Sequence, residues 1–263
     1  MTAILATEGL TMRFGGVVAV DDVTLSIGEG ELRCLIGPNG AGKSTFFKCL
    51  TGQLKPSSGR TLWRGRDITA VDSFAVARLG VGIKTQVPSL FDGLTVFESV
   101  VLAVRRREGE RIARRRTVEA LERLGVAALA DRPVGLLAHG QRQLVELAMV
   151  VAPEPDLILL DEPTAGMTAD ERRRTAALIR ELNERHAIVV VEHDMQFIRS
   201  IAKTITVFHR GRVLVEDAAE RVFADPRVRD VYLGKAAGSS PRADMPEAGP
   251  GEPASARSGV SAA

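Results

Sequence analysis

The chain has 263 residues, 45% hydrophobic, 26% charged and 4% aromatic, with 35 Lys plus Arg against 33 Asp plus Glu. That length holds one large domain or two small ones with a sizeable core, and the composition excludes wholesale disorder. A formal net charge of +2 is too small to point to nucleic acid, and the apolar runs fall short of the roughly 20 residues a transmembrane helix needs.

The N-terminus has no basic start and no long apolar run, so no secretory signal is expected there. Residues 4–6, 17–20 and 23–27 are predicted as short strands, with turns at Gly15-Gly16 and Gly28-Glu29-Gly30. Residues 32–36 form a compact apolar strand ending at Gly37, and a helix is predicted over 43–51. After a turn at 55–59, residues 59–63 form another strand. From residue 95 the period changes to that of helices, over 95–104, 117–124 and 141–151. Strands at 157–160, 187–191, 204–208 and 212–215 then alternate with helices at 168–183 and 194–202. Such alternation implies a mostly parallel sheet covered on both faces. The Ala-, Gly-, Ser- and Pro-rich stretch 236–263 is expected to be a disordered tail. Cys34 and Cys49 match no metal spacing and suit packing in a reducing compartment.

The chemistry concentrates at Gly37-Pro38-Asn39-Gly40-Ala41-Gly42-Lys43-Ser44-Thr45, which fits the P-loop pattern between a strand and a helix. Gly40 and Gly42 let backbone N–H groups turn inward around phosphate oxygens, and the helix N-terminus adds its positive end. Lys43 supplies charge to the outer phosphates, and the Ser44 hydroxyl can ligate Mg²⁺. A second element is the apolar strand ending in Asp161 and Glu162. Asp161 can sit beside the magnesium ion, and Glu162 can act as general base on water or orient it.

With these residues the chain resembles the nucleotide-binding subunit of ATP-binding cassette (ABC) transporters, over nearly the whole of residues 1–235. The resemblance implies a P-loop NTPase (RecA-like) α/β core with a mostly parallel sheet. To this it adds an N-terminal antiparallel β subdomain and a helical subdomain over about 90–152. It implies that Phe14 stacks on adenine with Val20 as its apolar neighbour. Gln86 resembles the Q-loop glutamine reaching Mg²⁺ and water, and His193 the switch histidine at the γ-phosphate. Leu137-Ala138-His139-Gly140-Gln141 occupies the place of the Leu-Ser-Gly-Gly-Gln signature, and Ala165-Gly166-Met167-Thr168 that of the D-loop. Ala138 replaces the serine that bonds the γ-phosphate of an opposing subunit, His139 replaces a glycine, and Thr168 stands where many members carry Asp.

Several stretches, Glu31-Leu32-Arg33, Glu192-His193-Asp194-Met195 and Val231-Tyr232-Leu233-Gly234 among them, are similar to importers of branched-chain amino acids and of urea or short amides. The signature leans toward urea, and Met12-Arg13-Phe14-Gly15-Gly16 toward branched-chain amino acids. The implied partners are two hydrophobic permease subunits, a second copy or related ATPase in a sandwich dimer, and indirectly an extracytoplasmic solute-binding protein. The implied place is peripheral, on the cytoplasmic face of the inner (plasma) membrane. A soluble ABC-type ATPase, a small-molecule P-loop kinase and a nucleotide-sensing module without turnover are the competing readings. Residues 105–116 hold seven arginines and two glutamates. They are read as a solvated helix face or loop, or as a contact with anionic lipid or an acidic partner. Nucleic acid is not expected, because no aromatic residues interleave the run.

Overall fold

The computed structural model describes residues 3–86 and 90–233. The chain opens with a long hairpin, β1 (Ala3–Phe14) and β2 (Val17–Gly28), paired antiparallel. In β2, Val23, Leu25 and Ile27 are buried and alternate with exposed Thr24 and Ser26, the two-residue period of a half-buried strand. The sequence suggests two short strands, 17–20 and 23–27, and the structure joins them into one. Asp22 takes a positive φ of 54° and its N–H donates to Thr11 Oγ1 at 3.0 Å. The polar pair Asp21-Asp22 is thus a bulge that bends the strand, not a break in it.

Next come β3 (Leu32–Ile36), α1 (Lys43–Leu50), β4 (Ser58–Trp63), β5 (Arg66–Asp67), α2 (Ser73–Arg78) and β6 (Val81–Lys84). Strands β4 and β5 complete an antiparallel sheet in the order β2-β1-β4-β5. Helices α3 (Val96–Arg105), α4 (Glu110–Arg123) and α5 (His139–Val151) pack on one another. Thr95 caps α3 by accepting from the Glu98 N–H at 3.1 Å, and its own N–H donates to Glu98 Oε2 at 2.8 Å, a reciprocal cap. Helix α4 begins at Glu110, not at residue 117, so it takes in half of the arginine run. Its buried face is Ala113, Thr117, Ala120 and Leu121. The arginines lie on the other side, where Arg114 pairs with Glu110 and Arg115 with Glu119, while Arg116 reaches Glu108 and Glu154. Most of the run is therefore a salt-bridged, solvated helix face.

The remaining elements are β7 (Leu157–Asp161), α6 (Ala169–Leu182), β8 (Ala187–Val191), α7 (Met195–Ile201), β9 (Thr204–His209), β10 (Arg212–Ala218), α8 (Ala219–Ala224) and α9 (Pro226–Leu233). The central sheet has the order β10-β9-β3-β8-β7-β6, parallel throughout except for β10. Every residue of β3, β7 and β8 is buried, as expected where both faces are covered. Ile36, Leu160 and Val190 face a core shared with α3–α7, and Leu35, Leu159 and Val189 face one shared with α1 and the hairpin. Cys34 and Cys49 are buried free thiols that burial pushes up to about 12 and about 11, which keeps them unreactive. No helix among the described residues is long and apolar enough to cross a membrane. The tail expected at 236–263 lies outside the described residues.

Leu160 is fully buried on β7, and Leu160→Ala is expected to lower unfolding stability by about 2–5 kcal/mol. Exposed Arg115→Ala should change it by less than about 1 kcal/mol. Urea denaturation midpoints distinguish the two.

Candidate active site

Four adjacent parallel strands end at one edge of the central sheet, and each releases a segment that carries polar side chains. Register sets this alignment, since Leu35 lies opposite Val191, Asp161 opposite Val191, and Lys84 opposite Leu160. From β3 comes 37–45, from β7 Asp161 and Glu162, from β8 Glu192 and His193, and from β6 Gln86. The carboxyl edge of such a sheet is where ligands bind in open α/β folds.

The loop 37–42 is closed by local bonds and pinned by neighbours. Ala41 N–H donates to Pro38 O at 3.2 Å, Gly211 N–H to Ala41 O at 3.0 Å, and Asp21 N–H to Gly211 O at 2.8 Å. Gly42, the residue before α1, has φ +100°, and a Cβ there would lie 2.2 Å from Ala19 O. Only glycine satisfies both demands. The first turn of α1 carries no acidic residue, so its N–H groups and dipole present an uncontested positive end. Lys43 is buried, and its Nζ donates to Gly37 O at 2.6 Å and Pro38 O at 3.0 Å. Burial lowers its pKa, opposed by the nearby Glu162 and Asp161 carboxylates. The ammonium is thus held on its own loop's carbonyls, which an anion in the loop can replace.

Asp161 closes β7 and is buried. Burial, and then the adjacent Glu162, push its carboxyl up to about 6. Among the described residues its Oδ1 has no hydrogen-bond partner. A buried carboxylate oxygen without a donor is costly and suits a hard cation. Glu162 follows at φ +46°, anchored by its N–H to Val191 O at 2.9 Å. Gln86 Nε2 donates to Glu162 Oε2 at 2.9 Å, and His193 Nδ1 lies 3.5 Å from Glu162 Oε1. Three separate strands thus converge on one carboxylate.

Glu192 has no part assigned by the motifs. It is buried, and accepts from the Thr164 N–H at 3.1 Å and the Thr164 hydroxyl, from the His193 N–H at 2.9 Å and from the Asp194 N–H at 3.4 Å. This ties the loop after β7 to the loop after β8. The signal in the sequence is an acid directly following an all-apolar strand, beside the candidate histidine.

Phe14, at the end of β1, is 47% exposed and available for stacking. Val20, expected as its apolar neighbour, lies opposite Met12 across the hairpin. Val20 is fully buried in the core, and the hairpin partner of Phe14 is Val17, 66% exposed. Ala138, His139, Gly140 and Gln141 form the N-terminal end of α5, where Gln141 Oε1 accepts from the Ala138 N–H at 3.1 Å. Among the described residues, no hydrogen bond or ion pair joins 138–141 to 37–45. One chain therefore presents two phosphate-suited helix ends that do not meet.

Residues 20–165 match the family model described as ABC transporter. The chain belongs to the ABC transporter family. It is 36% identical over 253 residues to the high-affinity branched-chain amino acid transport ATP-binding protein LivG of Salmonella typhimurium, covering 89% of this chain and 98% of that protein. Among solved structures it is similar to an ATP-binding cassette of an ABC transporter in its ADP conformation, with a TM-score of 0.80, 28% identity, and 89% and 100% of the two chains covered. A dimeric bacterial ABC transporter cassette matches with a TM-score of 0.74 at 27% identity over 81% and 98%. The cassette is an ATP-binding subunit and an ATPase coupled to transport.

Replacing the Thr164 hydroxyl tests the Glu192 anchor. Thr164→Val should cost about 1–3 kcal/mol, because it leaves a buried carboxylate short of a donor. Thr164→Ser should keep most of that stability in the same urea titration.

Proposed function

We propose that this chain hydrolyses ATP with Mg²⁺ to energise import of branched-chain amino acids, as the cytoplasmic, membrane-peripheral subunit of a transporter with two permease subunits. The observation that carries the catalytic part is the convergence of Gln86 and His193 on Glu162, beside Asp161 and Lys43. The likeness to LivG supports the cargo, and an extracytoplasmic binding protein would deliver it.

In this reading the backbone N–H groups of 37–45 and the Lys43 ammonium hold the triphosphate, with the adenine on Phe14. Ser44, Asp161 and Gln86 would hold the magnesium ion, whose charge offsets that of the phosphate oxygens. The unpartnered Asp161 Oδ1 fits such an ion. Glu162 takes the proton from the attacking water, and Gln86 keeps that carboxylate and the water in line. His193, exposed at the end of β8, reaches the γ-phosphate. Positioning and charge supply most of the rate, since little covalent chemistry falls to the protein.

Among the described residues the helix end at 138–141 makes no hydrogen bond or ion pair to its own P-loop, which supports a sandwich of two copies, each closing the other's nucleotide site. The similar dimeric cassette points the same way. A groove of about 660 Å³ between α2 and α3 supports the permease contact. Exposed Phe74, Phe91 and Leu102 line it, with Arg78 and Arg106 stacked over the Phe74 ring at 4.2 and 4.9 Å.

Glu162→Gln is expected to lower the ATPase rate by roughly 10²–10⁴-fold while ATP still binds. Equal rates in the native chain and the variant would remove the catalytic assignment. Phe14→Ala should weaken a fluorescent ATP analogue by about 1–3 kcal/mol, and an unchanged affinity would contradict the stacking role.

A further inference from the structure

The residue that opens α5 is a histidine whose ring rests on another element of the same chain. His139 Nε2 lies 3.1 Å from the Ala165 carbonyl oxygen. A carbonyl only accepts, so Nε2 carries the proton and donates. Gly166 makes room for this contact, because a Cβ there would lie 2.8 Å from His139 Nε2. One turn along α5, the buried Gln143 brings its amide to 3.5 Å from the same nitrogen, and its Oε1 lacks a partner among the described residues. With that amide turned over, the oxygen faces the His139 N–H as a second acceptor.

Ala165 leads directly to the base. Its N–H donates to the Glu162 carbonyl at 3.2 Å, closing a turn, and the Glu162 N–H is held by Val191 O at 2.9 Å. Glu162 itself sits at φ +46°, a conformation kept only where its surroundings enforce it. His139, Ala165 and Glu162 thus form one hydrogen-bonded path from the α5 N-terminus to the backbone of Glu162, the residue whose carboxylate activates water. The glycine that the family resemblance places at position 139 has no side chain with which to make it.

We propose that His139 is a positioning residue that couples the two nucleotide sites of the dimer. The inference rests on the sandwich reading above, in which the α5 end of one copy meets the nucleotide held by the other. Seating of phosphate on that end orders His139, and His139 sets the turn that aims Glu162 in its own chain. Occupancy of one site thereby prepares the base of the other.

The test compares native protein, His139→Ala and His139→Gln, whose side-chain amide restores a donor at similar reach. The ATPase rate and its cooperativity in ATP are measured, with melting temperature as a control. His139→Ala should lower kcat about 10- to 100-fold with KM for ATP within about twofold, and should bring cooperativity to that of independent sites. His139→Gln should recover most of both. An unchanged His139→Ala overturns the proposal, as does equal loss in both variants accompanied by a lowered melting temperature. Light scattering of Glu162→Gln with ATP separates the two levels. A monomer there overturns the sandwich and the coupling with it, whereas a dimer with an unaffected His139→Ala overturns the coupling alone.

Discussion

Parallel strands cannot be joined by tight turns, so each of the parallel strands β3, β6, β7 and β8 must leave the sheet at its carboxyl end before returning. That constraint places the starts of four excursions side by side. Strands β3, β7 and β8 are buried along their whole length and carry mostly aliphatic side chains. Apart from Arg33, which is buried in β3 on Glu31 and Glu216, the polar groups of this edge lie at or beyond the strand ends, where Lys43, Asp161, Glu162, Gln86, Glu192 and His193 collect. The polar cluster is a consequence of strand direction and register before it is a consequence of any one residue.

Its polar groups divide into those satisfied within the chain and those left for a ligand. Glu192 is fully used by Thr164, His193 and Asp194 and works as a fastener between two loops. Asp161 Oδ1 is unused, and Lys43 rests on loop carbonyls that phosphate can displace. A further fastener lies at the root of Gln86, where buried Lys84 on β6 meets Glu146 on α5 at 3.3 Å. Taking both charges out of water offsets much of their attraction. The pair's evident effect is to fix α5, and so the 138–141 end, relative to the edge strand that precedes Gln86.

Local signals made much of this readable in advance. The P-loop has a fixed spacing, β7 is a continuous apolar run ending in acids, and α6 has Thr168 and Asn183 at its two caps. Those features depend on residues close in sequence. The elements that escaped depend on partners far away. Strand β6 is four residues long, contains Gly82 and ends in Lys84, so it shows no alternation, and its strand character comes from pairing with β7. Val20 reads as an apolar neighbour of Phe14, and its full burial opposite Met12 depends on the β1 register. Helix α4 starts early because Glu110, Arg114 and the neighbouring pairs stabilise a turn that has almost no apolar signal. The contact between His139 and Ala165 joins residues 26 apart and has no signature in spacing.

In the proposed function this cassette sits beneath membrane subunits and drives import by ATP hydrolysis. The most direct measurement is to tag the chain in its own cells, purify it from gently solubilised membranes and identify what accompanies it. Two hydrophobic permease subunits, alone or with a second small ATPase, are the result the account predicts. Recovery only from the soluble fraction, alone or with ribosomes or DNA, would contradict it.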